Sequence, residues 1–243
     1  MKENKRSIVE TAIIYMNNNF EEHTREKGYI GVTSFISTFF KLFDAERIAF
    51  FVAKAQGKTK EEVLKEWEGL EEIGSLIHQE IEEYLLIGIS SELNIRSQHA
   101  IDYINEKYHS EEFSLYPEVK ITSEKFKLRG VIDLLVYNNI TKEITIIDWK
   151  TNKNINKSRG RGVKNATKDI MDKKINKFYL QLLLYKEILK ESQLNVNHIN
   201  IIHLTDNKFS ELEPVQNLSS AITEMLKYRN HCLEKLDEMS MLN

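Results

Sequence analysis

The sequence predicts an α/β fold: a central mixed β-sheet flanked by helices, with a helical N-terminal part. Three observations carry this. Residues 126–137 and 143–151 are two apolar, β-branched runs joined by the polar stretch 138–142, which is a hairpin signal. Residues 173–190 then follow a helical apolar period and lead into a strand-like run at 196–205, so sheet and helix alternate. The first hundred residues carry helix caps and helical spacing.

Taken in order, Asp44 is placed to cap a helix over 45–56, and Gly57 to stop it. Thr59 and Glu62 have the spacing of a capping box and open a second helix. A third spans 74–86, with Ile77, Ile81 and Leu85 on its apolar face, and a fourth spans 95–108. Residues 115–121 begin the strand region, and the hairpin follows. The stretch 151–172 has no periodicity and reads as a mobile loop. After the helix at 173–190 come a buried strand at 196–205, a short edge strand at 209–212 and a closing helix at 217–237. A single domain over 1–243 is expected, with 1–110 mainly helical and 111–243 holding the sheet and the last two helices.

A chain of 243 residues is long enough to bury a core, and 41% hydrophobic with 29% charged residues is ordinary for a soluble protein. Two prolines and nine glycines leave no room for a Pro- or Gly-rich linker. No apolar run is long enough for a membrane span, and the N-terminal residues lack a signal peptide's apolar stretch. Cys232 is the only cysteine, which excludes an intrachain disulfide and any multi-cysteine metal site; the cytoplasm is the expected compartment. The net charge of −3 is unevenly spread. Residues 150–177 hold ten Lys/Arg and two Asp, a local +8, leaving −11 for the rest. Such a segment is either a phosphate-binding surface or a solvated loop.

The chemistry concentrates in the hairpin. Gly130-Val131-Ile132-Asp133 is followed fifteen residues after its Asp by Asp148-Trp149-Lys150. Alternation along a strand puts Asp148 and Lys150 on one face and Trp149 on the other, in the core. A turn centred on Ile140 and Thr141 sets Asp133 opposite Asp148. Charges in the apolar contexts V-I-D-L-L-V and T-I-I-D-W-K are costly unless paired or bound to a cation. Close carboxylates repel unless a proton or a cation intervenes, and hard divalent ions favour such oxygen clusters. Lys150 either neutralises the acids or serves a reaction by orienting water or stabilising phosphoryl charge.

Further candidates sit on helices. His78 borders the Ile77/Ile81/Leu85 stripe, where it is a hydrogen-bonded core residue or a ligand. Glu82, one turn on, either orients its imidazole or is solvated. Gln181 and Tyr185 are a polar pair among leucines, four residues apart.

G-x-I-D, then D-W-K, then Q-x-x-x-Y, preceded by G-x-x-x-H on a helix, resembles the RecB-type branch of the PD-(D/E)XK nuclease superfamily, with matching order and spacing over about residues 75–190. The N-terminal helices, with V-T-S-F-I-S-T-F-F-K, also resemble small phage, viral and mitochondrial exonucleases of that branch. The resemblance implies a restriction-endonuclease-like fold and a Mg²⁺- or Mn²⁺-dependent deoxyribonuclease, most simply an exonuclease on single-stranded DNA or DNA ends, serving repair, recombination or replication alongside proteins of those processes. It implies that His78, Asp133 and Asp148 ligate the metal and that Lys150 is the catalytic lysine. Gln181 and Tyr185 would support the site and meet the DNA backbone. Glu118 falls where relatives often carry an acid. The basic segment, with Lys153, Lys157, Arg159, Arg161, Lys164 and Lys177, would grip DNA phosphates. Relatives with a four-cysteine iron–sulfur cluster differ here, since the chain has one cysteine. A structure-specific endonuclease and a catalytically silent DNA-binding module are the alternatives.

Overall fold

The computed structural model describes residues 7–25, 28–88, 92–214 and 216–240. Its organising feature is the hairpin of β3 (Leu128–Asn138) and β4 (Ile144–Lys150). Asn138 makes the turn: its side-chain oxygen accepts from the amides of Ile140 (2.8 Å) and Thr141 (2.9 Å), while Lys142 takes a left-handed φ of 66°. That turn sets the register, which pairs Leu134 with Ile147 through to Tyr137 with Ile144. Continued by one residue, it faces Asp133 with Asp148, as the sequence predicts.

Among the described residues the mixed sheet has six strands, in the order β1 (Ile30–Gly31), β3, β4, β5 (Val196–Leu204) and β6 (Phe209–Leu212), with β2 (Phe113–Ser123) on the other side of β3. β1 pairs with β3 only at Leu128 and Arg129, and β4 joins the same edge only from Leu134 onwards. Residues 130–133 therefore lie in a gap between two partners, with one edge open to side chains from elsewhere.

Helices cover both faces. α1 (Ile8–Arg25), α2 (Val32–Ser37), α6 (Lys174–Glu191) and α7 (Ser219–Ser240) share the larger core with Ile132, Leu135, Ile144 and Ile146. α4 (Lys60–Ile87) and α5 (Ile95–Tyr108) pack Ile77, Ile81, Ala100 and Tyr103 against Leu134, Ile147 and Trp149 on the opposite face. Trp149 is thus core, as predicted. α3 (Ala45–Gln56) lies beside the first half of α4, around the small cluster of Ala49, Ala53 and Val63.

The predicted caps are present. Asp44 accepts from the Arg47 amide, Gly57 closes α3 at φ 68°, and Thr59 and Glu62 form the capping box. Two expectations are corrected. The helix opening at Thr59 and the one at 74–86 are a single helix of 28 residues. Gly69 and Gly74 each cost about 1 kcal/mol in a helix interior, too little to break one held at both ends. Residues 151–172 are also not featureless. They hold a short 3₁₀ turn at Asn165–Thr167 and a bridge between Arg161 and Met171, and are fastened to Phe39, whose carbonyl accepts from the Val163 amide and the Thr167 hydroxyl. β1 is two residues long and carries no alternation to read.

Candidate active site

The open edge of β3 is where the ionisable groups meet. Asp133 ends the gap, and one of its oxygens accepts from the Trp149 amide at 2.8 Å, so the carboxylate replaces a rung of the β3–β4 ladder. The same oxygen faces the His78 Nδ1 at 3.4 Å. His78 reaches it because Ile77 and Ile81 seat α4 on the Trp149 face of the sheet. Glu118 arrives from β2, where its neighbours Pro117 and Val119 pair with Leu134 and Ile132 on either side of Asp133. Glu118 has φ 48°, a strained conformation for a side chain with a Cβ, and such strain concentrates at functional sites.

His78, Glu118 and Asp133 each offer a ligand atom, and these atoms lie within 4.8 Å of one another. Electrostatics show what the cluster lacks. Burial, then the charges of Asp133 and Glu82, push the Glu118 carboxyl up to about 7. Burial disfavours ionised Asp133 too, but His78, Lys150 and the Trp149 amide together hold its carboxyl below the usual range. Burial also works against a charged His78, yet the Asp133 carboxylate outweighs it and raises the imidazole. Two carboxylates and an imidazole, half-buried and close together, are a donor set that could hold a divalent cation.

Asp148 lies outside that group of three and is paired with Lys150. It is buried, and its Oδ2 meets the Lys150 ammonium at 2.6 Å with no hydrogen bond besides that ion pair. Its Oδ1 accepts from Gln181 at 3.3 Å. Burial, then the nearby Asp133, raises its carboxyl despite Lys150. Burial works against a charged Lys150, but Asp148 and Asp133 outweigh it and raise the pKa of the ammonium. Its ammonium also sits 4.7 Å from the centre of the Phe178 ring.

Phe178, Gln181 and Tyr185 occupy one face of α6, at helical spacings of three and four. Gln181 donates to the Tyr185 hydroxyl at 3.0 Å. Tyr185 lies on Gly130, where a Cβ would come within 2.3 Å of its ring. The glycine of the first motif is therefore required by the tyrosine of the last. Gly74 differs: a Cβ there would sit 3.4 Å from the Thr151 hydroxyl, an ordinary contact, so the helix lies beside the end of β4 without requiring a glycine.

The remaining predicted residues are scattered around this centre. Glu82 bears on Glu118 by charge, and the partner of the imidazole is Asp133. Lys177 is paired with Asp172 at 2.6 Å and lies over Phe40. Lys164 is stacked on Tyr228 and Phe39 and donates to the Tyr228 hydroxyl at 3.0 Å. Arg159 lies over Phe43 at 4.4 Å. Arg161 reaches the Asp169 carboxylate at 4.0 Å. Lys153 and Lys157 are exposed. Phe178 and Lys174 escaped the sequence reading; the spacing of Phe178 to Gln181 was the available signal for the first.

A family model described as the PD-(D/E)XK nuclease superfamily matches residues 51–241. A comparison with curated proteins gives no match. Among the described residues, no helix is long and apolar enough to cross a membrane.

Proposed function

The chain belongs to the PD-(D/E)XK nuclease superfamily, and from that premise we propose a Mg²⁺- or Mn²⁺-dependent deoxyribonuclease of the RecB-type branch, acting as an exonuclease on single-stranded DNA or free DNA ends. The observation that carries the reading is the pairing of a divalent-ion donor set, His78, Glu118 and Asp133, with a charged lysine at the same end of one hairpin. We assign Asp148 to the metal as well, through its Oδ2, which has Lys150 as its polar neighbour. The motif order G-x-I-D, D-W-K and Q-x-x-x-Y supports the RecB-type branch, and the resemblance of the N-terminal helices supports the exonuclease. Repair, recombination or replication of DNA, in the cytoplasm and alongside proteins of those processes, is the proposed setting.

A divalent cation held by these residues supplies charge to a phosphodiester oxygen and acidity to a water. The rest is the work of the chain. Lys150 stays protonated because Asp148 and Asp133 favour its charge, so it donates a hydrogen bond to the attacking water or to a phosphoryl oxygen. Gln181 holds the Asp148 carboxylate in place and is itself tied to Tyr185, which rests on Gly130. The imidazole of His78 is oriented through Asp133.

Incubation with end-labelled linear and circular single-stranded DNA in Mg²⁺, Mn²⁺ or EDTA tests the reading. Metal-dependent loss of the linear strand with the circle intact is expected. Cutting of the circle would replace the exonuclease with an endonuclease. Binding of DNA with no cleavage in either metal would leave a silent binding module.

A further inference from the structure

One face of α4 leads away from the candidate centre. Trp67, Glu71, Gly74 and His78 are spaced by four, three and four residues and so form one stripe along the helix. Each has a partner on the side of the site: His78 faces Asp133, Gly74 approaches Thr151, the Glu71 charge bears on Lys174, and Trp67 lies 5.7 Å from Phe43. The eleven helical steps from His78 to Trp67 span about 16 Å at about 1.5 Å each. The stripe ends at the partly buried Trp67, which packs against the Ala49, Ala53 and Val63 cluster, and at the Phe43 ring beside it. Phe43 is 46% exposed, with Leu42 beside it at 81%, and Arg159 of the basic segment is laid over the Phe43 ring. Beside Arg159 stands Lys174, half-buried. The Arg159 amide donates to the Asp172 carbonyl at 2.9 Å, and Lys177 pairs with the Asp172 carboxylate at 2.6 Å, which brings the three cations to one stretch of surface; burial, then the Arg159 charge, lowers the Lys174 pKa against the pull of Glu71.

An aromatic platform beside clustered cations is the arrangement that binds a single nucleic-acid strand: rings stack bases and ammonium groups meet phosphates. Duplex bases are already stacked and leave no face for Phe43. The clustered cations call for a polyanion, and the stripe joins them to the proposed catalytic centre. We propose that Phe43 and Trp67, with Arg159, form a stacking subsite for an unpaired base of single-stranded DNA, and that Lys174 meets the adjoining phosphate. This rests on the nuclease reading and names the substrate class of that site.

The test compares a thymidine oligonucleotide with a strand of the same length whose residues are abasic, in EDTA. Binding is followed by tryptophan emission and by anisotropy of an end label. Trp149 is 1% exposed, so Trp67 is the responsive tryptophan of the two. The expected result is quenching by the base-bearing strand, which binds about tenfold more tightly than the abasic one. Phe43→Leu, which keeps an apolar side chain against Trp67, should abolish that preference, and Phe43→Tyr should restore it. Lys174→Ala should weaken both strands equally. Equal binding of the two strands by the wild type, or a preference retained in Phe43→Leu, overturns the subsite. If metal-dependent cleavage persists in that case, the nuclease reading stands without it; absence of cleavage of any DNA by the wild type removes the nuclease reading itself. Concentration-dependent self-association that hides Trp67 from DNA would also overturn the subsite, and would assign the face to a second copy.

Discussion

The end of the hairpin and the basic segment that follows it handle charge by opposite means. In the hairpin, Asp133, Asp148 and Lys150 are largely withdrawn from water and answer one another at short range; Lys150 and Asp148 are 2.6 Å apart, with Asp148 buried and Lys150 mostly so. In residues 151–177 three of the cations are laid on aromatic rings instead: Lys164 on Tyr228 and Phe39, Arg159 on Phe43, and Lys177 on Phe40. Buried charge of the first kind is expensive unless something uses it, which makes it diagnostic of chemistry. Cations of the second kind lose little by being where they are. Their number says less than which of them remain available to a ligand.

The largest expected effect away from the charges themselves is at Gly130. Its missing Cβ lets Tyr185 reach Gln181 and, through it, Asp148. Gly130→Ala should destabilise the protein by about 1–3 kcal/mol, as overpacking does, and slow cleavage as well, measured by chemical denaturation and by cleavage rate. If both are unchanged, the hairpin centre does not depend on its support from α6.

Glu118→Gln gives a smaller effect with a definite sign. The Glu118 carboxyl lies at about 7 in the folded protein against an ordinary 4.5. Its contribution to stability is therefore complete below about 4.5 and lost as the pH rises through about 7. In EDTA at pH 8 the glutamine variant should melt above the wild type, an advantage that shrinks towards pH 4.5. Added Mn²⁺ should raise the wild type's melting temperature more than the variant's. Thermal melts at the two pH values, with and without metal, check both statements.

The smallest effect separates the cations of the basic segment. Lys164→Ala should cost about 1 kcal/mol of stability, the worth of its ring contacts, and leave the salt dependence of DNA binding alone. Lys174→Ala should leave stability nearly unchanged and reduce the slope of log affinity against log salt by about 1. The same slope change in both would erase the distinction drawn above.

The hairpin centre was legible because its signals are local. Asn138 turns the chain by bonding amides two and three residues on, and acids inside apolar strands stand out in one line of sequence. The caps at Asp44 and Thr59 are local for the same reason. What escaped depends on contacts far apart in the chain. The gap on the edge of β3 exists because β1 stops after Arg129. Glu118 is named by the resemblance alone, and the left-handed backbone that takes it to the donor set is not announced by its sequence. The long helix α4 read as two because its glycines resemble stops, while both Gly69 and Gly74 lie inside one continuous helix. That Lys164 lies on Tyr228 and that Lys177 pairs with Asp172 are likewise not visible in a count of charges.

The most direct test of the account separates metal from lysine at the hairpin. Mn²⁺ binding by calorimetry and single-turnover cleavage of a linear single strand would be measured on the wild type and on Lys150→Ala. The account predicts that the variant still binds Mn²⁺ through the carboxylates and His78 while its cleavage falls by about 10²–10⁴. Cleavage at the wild-type rate by Lys150→Ala would contradict it.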